Sequence, residues 1–304
     1  MSFSFEQRIP VSAIVIDHHI ERISLLIDAI YSIQKNSFLP SEIIIILDVP
    51  EEEFFSYRNL IYRYKFLDFS YVRIYRNTRT KGPAGARNLA IEQSQYEWLA
   101  FLDSDDLWHK EKLYYQWKFL SKRPFLKACH TKEQWYKNQK FNPTPKRLEP
   151  GTGKFLVEAF RHCLISMSSI MIHKSVFEEI GYFDEELIAA EDYDFWIRYL
   201  VHYPIAIIPN IHRRSPTLKR SGGWAQTSQT KNIDVFRLYS LLKVYEHYFE
   251  KLDPWEKEEL LKQIQYRYRI VQTQRQKYEF SEKTNKIYTK IQEKISRLMP
   301  MFVG

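Results

Sequence analysis

Trp98-Leu99-Ala100-Phe101-Leu102-Asp103-Ser104-Asp105-Asp106 is the stretch from which the fold of this chain is read. Its apolar opening is too short for a buried helix and reads as a strand covered on both faces, as in a parallel sheet. It then runs straight into three carboxylates within four residues. In open α/β sheets ligands bind beyond the carboxyl ends of the strands. The position of these acids therefore carries as much information as their number.

Carboxylates this close repel one another, and a shielded cluster needs a compensating cation. Hard divalent ions prefer oxygen ligands and bridge protein carboxylates to substrate phosphates. A bare Asp-x-Asp is common by chance, and a solvated turn or a helix cap, with Asp106 opening a helix through Lys112, accounts for the same residues. The apolar strand in front shifts the reading towards a metal.

Working upstream, residues 11–16, 43–47 and 72–75 are further short β-branched runs. Between the first two, Ile23, Leu26, Ile27, Ile30 and Ile33 recur at helical spacing, while residues 54–66 and 85–94 read as two more helices. Strands alternating with helices imply right-handed βαβ crossovers and a mainly parallel sheet. Asp48 then follows the second strand, on the same sheet edge as Asp103, Asp105 and Asp106.

Downstream, residues 127–153 are polar, aromatic and Pro-containing and read as a loop or irregular insertion. Helices are expected over 155–160, 176–180 (capped by Gly181) and 192–201, and strands over 168–172 and 205–208. After about residue 221 the apolar residues Val235, Leu238, Leu242, Tyr245 and Phe249, then Leu260, Leu261, Ile264 and Tyr268, then Ile287, Ile291, Ile295 and Leu298 mark two or three amphipathic helices.

Composition narrows the classes. The chain has 304 residues, 44% of them hydrophobic, enough for one large domain or one domain with an appendage. The formal charge of +8 favours an anionic partner such as a nucleotide diphosphate, a phospholipid surface or nucleic acid. Because the basic residues are spread among acids rather than gathered in a stripe, nucleic acid is not the expected partner. Cys129 and Cys163 have neither metal-site spacing nor a disulfide framework and read as reduced thiols. There is no signal-peptide pattern and no apolar run of the ~20 residues a membrane span needs, so a soluble, cytoplasmic protein is expected, at most peripheral on a membrane.

Two further stretches carry chemistry. In Glu191-Asp192-Tyr193-Asp194-Phe195-Trp196 the acids open a helix, which suits a cap, and lie beside aromatic residues, which suits a general base with a desolvating wall. In Gly82-Pro83-Ala84-Gly85-Ala86-Arg87-Asn88 a glycine loop before a helix can approach a ligand closely, with Arg87 as a fixed positive fork. It lacks the Gly-Lys-Ser/Thr ending of a Walker loop and the spacing of a Rossmann fingerprint.

Over roughly residues 9–220, Gly85-Ala86-Arg87-Asn88-Leu89-Ala90, Phe101-Leu102-Asp103-Ser104-Asp105-Asp106, Gly181-Tyr182-Phe183-Asp184-Glu185-Glu186-Leu187 and Glu191-Asp192-Tyr193-Asp194-Phe195-Trp196 follow one another in an order that resembles the family 2 glycosyltransferases. The resemblance implies an α/β GT-A fold: a mainly parallel sheet flanked by helices, with a C-terminal helical extension. The catalytic domain would be 1–224, with a donor half at about 9–106 and an acceptor half at about 107–224, and the extension 225–304. It further implies transfer of a sugar from a nucleotide-diphosphate sugar to an acceptor hydroxyl with inversion, assisted by Mn²⁺ or Mg²⁺. The acceptor would be a glycan, a lipid-linked or another hydroxyl compound, as in surface-polysaccharide assembly.

By position, Asp103-Ser104-Asp105 matches the Asp-x-Asp motif, with Asp105 as the direct metal ligand and Asp103 near ribose or metal. Asp48 matches the acid that reads the nucleotide base, with Ile16 and Ser104 also on the donor side. Arg87 matches the arginine of the donor-site helix, Asp192 the catalytic base, and Glu191 its paired acid. His212, Arg213, Arg214, Lys219, Arg220 and Trp224 fall where the family places a flap over the donor diphosphate. There His212 would be a third metal ligand, and Arg213 and Arg214 would neutralise the leaving group; a charged surface loop accounts for them equally. The chain departs from the family at Ile16-Asp17-His18-His19, where Pro-Thr-Tyr-Asn is usual, and at Leu47-Asp48-Val49-Pro50, where two acids and a glycine are usual. These departures keep open a catalytically inactive scaffold of the same fold, and the +8 charge with interleaved aromatic residues keeps open a nucleic-acid-binding module. The C-terminal helices would pack on the catalytic domain or a second subunit. The alternative is a peripheral membrane contact through Tyr266, Arg267, Tyr268, Arg269 and Lys277, against which Glu256, Glu258 and Glu259 argue.

Overall fold

The computed structural model describes residues 7–137, 140–142, 148, 151–208, 217–221 and 231–298. Among them, β1 (Gln7–Asp17), α1 (Ile23–Gln34), β2 (Phe38–Leu47), α2 (Glu51–Ile61), β3 (Val72–Arg76), α3 (Pro83–Gln93) and β4 (Trp98–Asp103) follow in strict alternation. Then come β5 (Leu107–Trp108), α4 (Lys112–Leu120), β6 (Ala128–His130), β7 (Glu133–Lys137), β8 (Lys140–Asn142), α5 (Leu156–Arg161), β9 (Ile170–His173) and α6 (Ser175–Ile180). The chain continues with α7 (Glu191–His202), β10 (Ala206–Ile207), β11 (Thr217–Ser221), α8 (Ile233–Tyr248), α9 (Pro254–Lys277) and α10 (Glu282–Leu298). These form two compact units interleaved along the chain: Met1–Gly153 with Ile165–Tyr182 and Pro204–Gly223, and Lys154–Leu164 with Phe183–Tyr203 and Trp224–Gly304.

The first unit is built on a seven-stranded sheet of order β10-β6-β9-β4-β1-β2-β3. Its β3-β2-β1-β4 half is parallel, as the alternation of strands and helices requires. Ile43, Ile44, Ile45, Ile46 and Leu47 of β2 are all fully buried, the consequence of covering both faces of a parallel sheet with crossover helices. The pairing register sets the site: Ile16 lies opposite both Ile46 and Asp103, and Asp17 lies opposite Leu47. The carboxyl ends of β1, β2 and β4 are therefore level. β9 then joins β4 antiparallel and reverses the direction of the sheet.

The expected loop over 127–153 instead contains three short strands. β6 enters the main sheet, while β7 and β8 form a hairpin in a second sheet of order β5-β11-β7-β8. Glu133-Gln134-Trp135-Tyr136-Lys137 has no apolar alternation to mark it, and of its two partners only β8 is local, β11 coming from a distant stretch of chain. Asp106 opens no helix: β5 follows it, α4 begins only at Lys112 with Glu111 as its cap position, and Asp106 itself is buried.

His130, at the end of β6, is fully buried with Nε2 3.1 Å from the carbonyl oxygen of Gly151, and Nδ1 has no partner. Nε2–H is thus the donor and the ring is neutral. Burial pushes its pKa down to about 4, against a small opposing pull from the Gly151 carbonyl. A histidine depressed below its unfolded value of about 6.5 stabilises the fold fully above that pH and loses the contribution as pH falls towards 4, worth about 3 kcal/mol. Between pH 6.5 and 4 the urea midpoint of the wild type should therefore fall relative to that of His130→Gln, which can still donate to Gly151.

In the second unit α7 packs on α5 and α8, α9 on α5 and α8, and α10 on α8. α9 opens with a capping box: the Asp253 side chain accepts from the Glu256 N–H, Glu256 Oε2 accepts from the Asp253 N–H at 2.9 Å, and Pro254 fills the first turn. α10 buries Ile287, Ile291 and Ile295 on one face. Each such side chain is worth roughly 1.5–3 kcal/mol. That outweighs the exposed Lys290–Glu186 pair, since surface ion pairs contribute about 0–1 kcal/mol. Among the described residues no helix is long and apolar enough to cross a membrane.

Candidate active site

In the first unit the level strand ends bring Asp17, Asp48 and Asp103 to one edge of the sheet. Asp17, the last residue of β1, is 4% exposed and has both oxygens engaged. Oδ1 accepts from the Ser104 hydroxyl, while Oδ2 accepts from the Tyr57 hydroxyl at 2.5 Å and the His19 N–H at 3.0 Å. Ser104, expected on the donor side, thus links β4 to β1. Ile16 is half-buried one residue earlier. The His18 and His19 rings lie 3.7 Å apart beyond the strand, and His19 Nδ1 meets Glu21 at 2.9 Å.

Asp48, half-buried after β2, holds the loop that leads into α3. Its Oδ1 accepts from the Asn77 amide and its Oδ2 from the Gly82 N–H, each at 2.8 Å. Asn77 Nδ2 also donates to the Thr80 carbonyl at 3.1 Å. The loop so fixed delivers α3 with Arg87 facing the acids: Arg87, 6% exposed, donates through Nη2 to Asp103 Oδ1 at 3.1 Å.

The acidic turn is organised from behind by Ser168. The Asp103 N–H donates to Ser168 Oγ at 3.1 Å, and that hydroxyl donates to Asp106 Oδ2 at 2.6 Å. The Trp108 indole donates to the Ser168 carbonyl at 2.9 Å. From β11, Lys219 Nζ reaches Asp106 Oδ2 at 2.9 Å and Asp103 Oδ2 at 3.5 Å. Burial alone would raise the Asp103 pKa, but Lys219 and Arg87 outweigh it and hold the carboxyl below its usual range. Asp106 is pushed up to about 6 by burial, with Asp105 and Asp103 adding to the effect against Lys219. Burial likewise raises Glu133. For Lys219, burial acts downward, and Asp106, Asp103 and Glu133 more than reverse it, so the side chain is firmly an ammonium.

Asp105 is half-buried in the same turn, where its charge bears on Asp106. The oxygen-only set of Asp103 and Asp105 suits a hard divalent ion, but among the described residues no three side chains form a metal cage. A divalent ion here would need its remaining ligands from a diphosphate and water, as Mg²⁺ sites commonly do. His212, Arg213, Arg214 and Trp224 lie outside the described residues.

In the second unit, Ala190 at φ 61° starts α7, placing Glu191 and Asp192 in its first turn. Glu191 is buried, and Asp192 is half-buried. The helix is pinned on either side of the exposed edge of Asp192. The Tyr193 hydroxyl donates to the Phe160 carbonyl at 2.7 Å, and fully buried Asp194 accepts from Arg198 at 2.9 Å and Lys243 at 2.6 Å. Asp192 Oδ1 accepts from the Tyr193 N–H at 2.7 Å, and Oδ2 accepts from the Cys163 thiol at 3.5 Å. Burial holds that thiol well above its ordinary pKa, reinforced by Asp192, so it acts as a donor and not as a nucleophile.

Three residues that no motif marks therefore belong to these arrangements. Asp17 stands in the stretch that departs from the family, Lys219 reads as one charge in a basic segment, and Cys163 has no spacing signal at all.

The description "Glycosyl transferase family 2" matches residues 13–181. An uncharacterized glycosyltransferase of Rickettsia felis is 30% identical over 181 residues, 58% of this chain and 28% of that protein, so the chain spans little more than a quarter of this relative. WfgD of Escherichia coli, named a UDP-Glc:α-D-GlcNAc-diphosphoundecaprenol β-1,3-glucosyltransferase, is 45% identical over 53 residues, 17% of this chain and 21% of that one. The crystal structure of Staphylococcus aureus TarS 1–349 in complex with UDP superposes with a TM-score of 0.61 at 16% identity, covering 85% of this chain and 71% of that one. At that identity the likeness shows the fold.

Proposed function

Since the chain belongs to glycosyl transferase family 2, we propose that it transfers a sugar from a nucleotide-diphosphate sugar to an acceptor hydroxyl, with inversion at the anomeric carbon. The observation that carries this reading is the meeting of Asp17, Asp48 and Asp103 at level strand ends with Arg87 aimed at Asp103. That is where an open α/β sheet receives a ligand. TarS, with the same fold, has been seen with UDP, which favours a uridine nucleotide. The name of WfgD favours a diphospholipid-linked glycan as acceptor.

In this reading Asp48 and Asn77 shape the loop beside the nucleotide, and Arg87 keeps Asp103 ionised and oriented. Asp105 and Asp103 would hold Mn²⁺ or Mg²⁺, which when bound supplies Lewis-acid stabilisation of the diphosphate as it leaves. Arg213 and Arg214 are assigned to the same leaving group, and His212 to the metal as a third ligand. Asp192 accepts the proton of the acceptor hydroxyl as that oxygen attacks the anomeric carbon. The Tyr193 N–H and the Cys163 thiol orient its carboxylate, and Glu191 is its paired acid. Protein of this composition would work in the cytoplasm, at most peripherally on a membrane.

The test is thermal unfolding with a panel of UDP-, GDP- and dTDP-sugars, with and without Mn²⁺. One donor should raise the melting temperature by several degrees, since ligand at a hundred-fold excess over Kd adds about 2.7 kcal/mol. Asp105→Ala should lose the Mn²⁺-dependent part of that shift. A panel that produces no shift in the wild type removes the reading.

A further inference from the structure

The acidic turn has a cation of its own. Lys219 Nζ sits 2.9 Å from Asp106 and 3.5 Å from Asp103, while Arg87 takes the other oxygen of Asp103. The lysine is held there by the fold. β11 pairs antiparallel with β5, the strand that immediately follows Asp106, with Leu218 opposite Leu107 and Thr217 opposite Trp108. Thr217 Oγ1 lies 3.2 Å from Thr131 Oγ1 and 3.3 Å from the Ser168 carbonyl, so the strand is anchored to the same serine that organises the turn. Two residues further along β11, Lys219 sets its ammonium against the acids.

We infer that Lys219 is the resident counter-cation of the acidic turn, and that a divalent ion reaches Asp103 only by displacing the lysine ammonium. The inference rests on the proposed placing of a metal at Asp105 and Asp103, and it deepens that proposal. Its basis is charge. Both oxygens of Asp103 are already met by cations, Oδ1 by Arg87 and Oδ2 by Lys219, and the same ammonium holds Asp106 Oδ2 and feels Glu133. A bare dication that binds Asp103 must push an ammonium off an oxygen it already occupies. A dication that arrives with a diphosphate brings its own negative charge, and the freed ammonium then has phosphate oxygens to meet. Lys219 would thereby make metal uptake depend on the donor and keep the turn folded and ionised between turnovers.

The experiment measures Mn²⁺ binding to donor-free protein, by the loss of the free-ion paramagnetic resonance signal and by calorimetry. It compares the wild type, Lys219→Met, which keeps the stem and loses the charge, and Lys219→Arg. Removing a unit charge from a few ångströms away should tighten Mn²⁺ binding at least about ten-fold in Lys219→Met. Lys219→Arg should stay near the wild type. In EDTA, Lys219→Met should melt below the wild type, and Mn²⁺ should restore it. Lys219→Gln provides the same reading if Lys219→Met does not fold. Equal or weaker Mn²⁺ affinity in the uncharged variants, or no Mn²⁺ uptake by either of them, overturns the inference. Failure of the transferase reading is seen separately, in the donor-induced melting shift of the wild type. A donor shift without any gain in Mn²⁺ affinity refutes the lysine alone, and tighter Mn²⁺ binding without a donor shift supports the lysine and removes the transferase.

Discussion

Asp192→Asn is expected to lower the turnover number by about 10²–10⁴-fold while leaving the donor-induced melting shift as in the wild type. The substitution is nearly isosteric. An Asn Oδ1 can still accept from the Tyr193 N–H, as Asp192 does at 2.7 Å. The helix around it is secured by contacts the change does not touch: Tyr193 to the Phe160 carbonyl, and Asp194 to Lys243 and Arg198. What disappears is the basic oxygen that would receive the acceptor proton. The loss should therefore fall on kcat with KM for the donor little changed, the mark of an interaction made only in the transition state. Steady-state kinetics of both proteins checks it, and turnover at the wild-type level excludes Asp192 as the base.

Gly85→Ala is expected to destabilise the first unit by about 3 kcal/mol or more and to abolish the donor-induced shift. A Cβ at this position would lie 2.0 Å from the Thr80 carbonyl oxygen and 3.0 and 3.1 Å from the Thr80 carbonyl carbon and amide nitrogen. All three are main-chain atoms. Their loop cannot simply retreat, because Asp48 grips it at Asn77 and Gly82 and Asn77 grips Thr80 itself. Room for one methyl group would have to come from breaking those bonds or from shifting α3, which carries Arg87 towards Asp103. Gly82 is required for another reason: nothing lies within 4 Å of its position, but its φ of 127° is a conformation open chiefly to glycine. The urea midpoint of Gly85→Ala measures the first effect and donor titration by thermal shift the second.

Those two substitutions touch residues that stand in recognisable motifs, yet the reason for each role came from different levels of structure. The acid pair at 191–192 was readable as a helix start, because acids followed by a mixed apolar and aromatic helical pattern have few other local meanings. Its thiol partner Cys163 was not readable, since it arrives from another segment packed by tertiary contact. Gly85 stood in a loop-to-helix motif, but its need for hydrogen in place of a methyl follows from how close Thr80 passes.

The residues themselves determined the parallel half of the sheet. Runs such as Ile43-Ile44-Ile45-Ile46-Leu47 are stable only when covered on both faces, and the helical spacing between them supplies the cover. They also determined that Asp48 and Asp103 would fall at strand ends, since each directly follows an unbroken apolar run. Tertiary structure alone decided the rest. Register made Asp17 level with its neighbours and joined it to Ser104 across two strands. Pairing of β11 with β5 set Lys219 against Asp103 and Asp106, turning a residue of a basic segment into the counter-charge of the acidic turn. Local sequence reports burial and period, because those are properties of neighbours along the chain. Charge compensation is a property of neighbours in space, and it appears only when distant strands are paired.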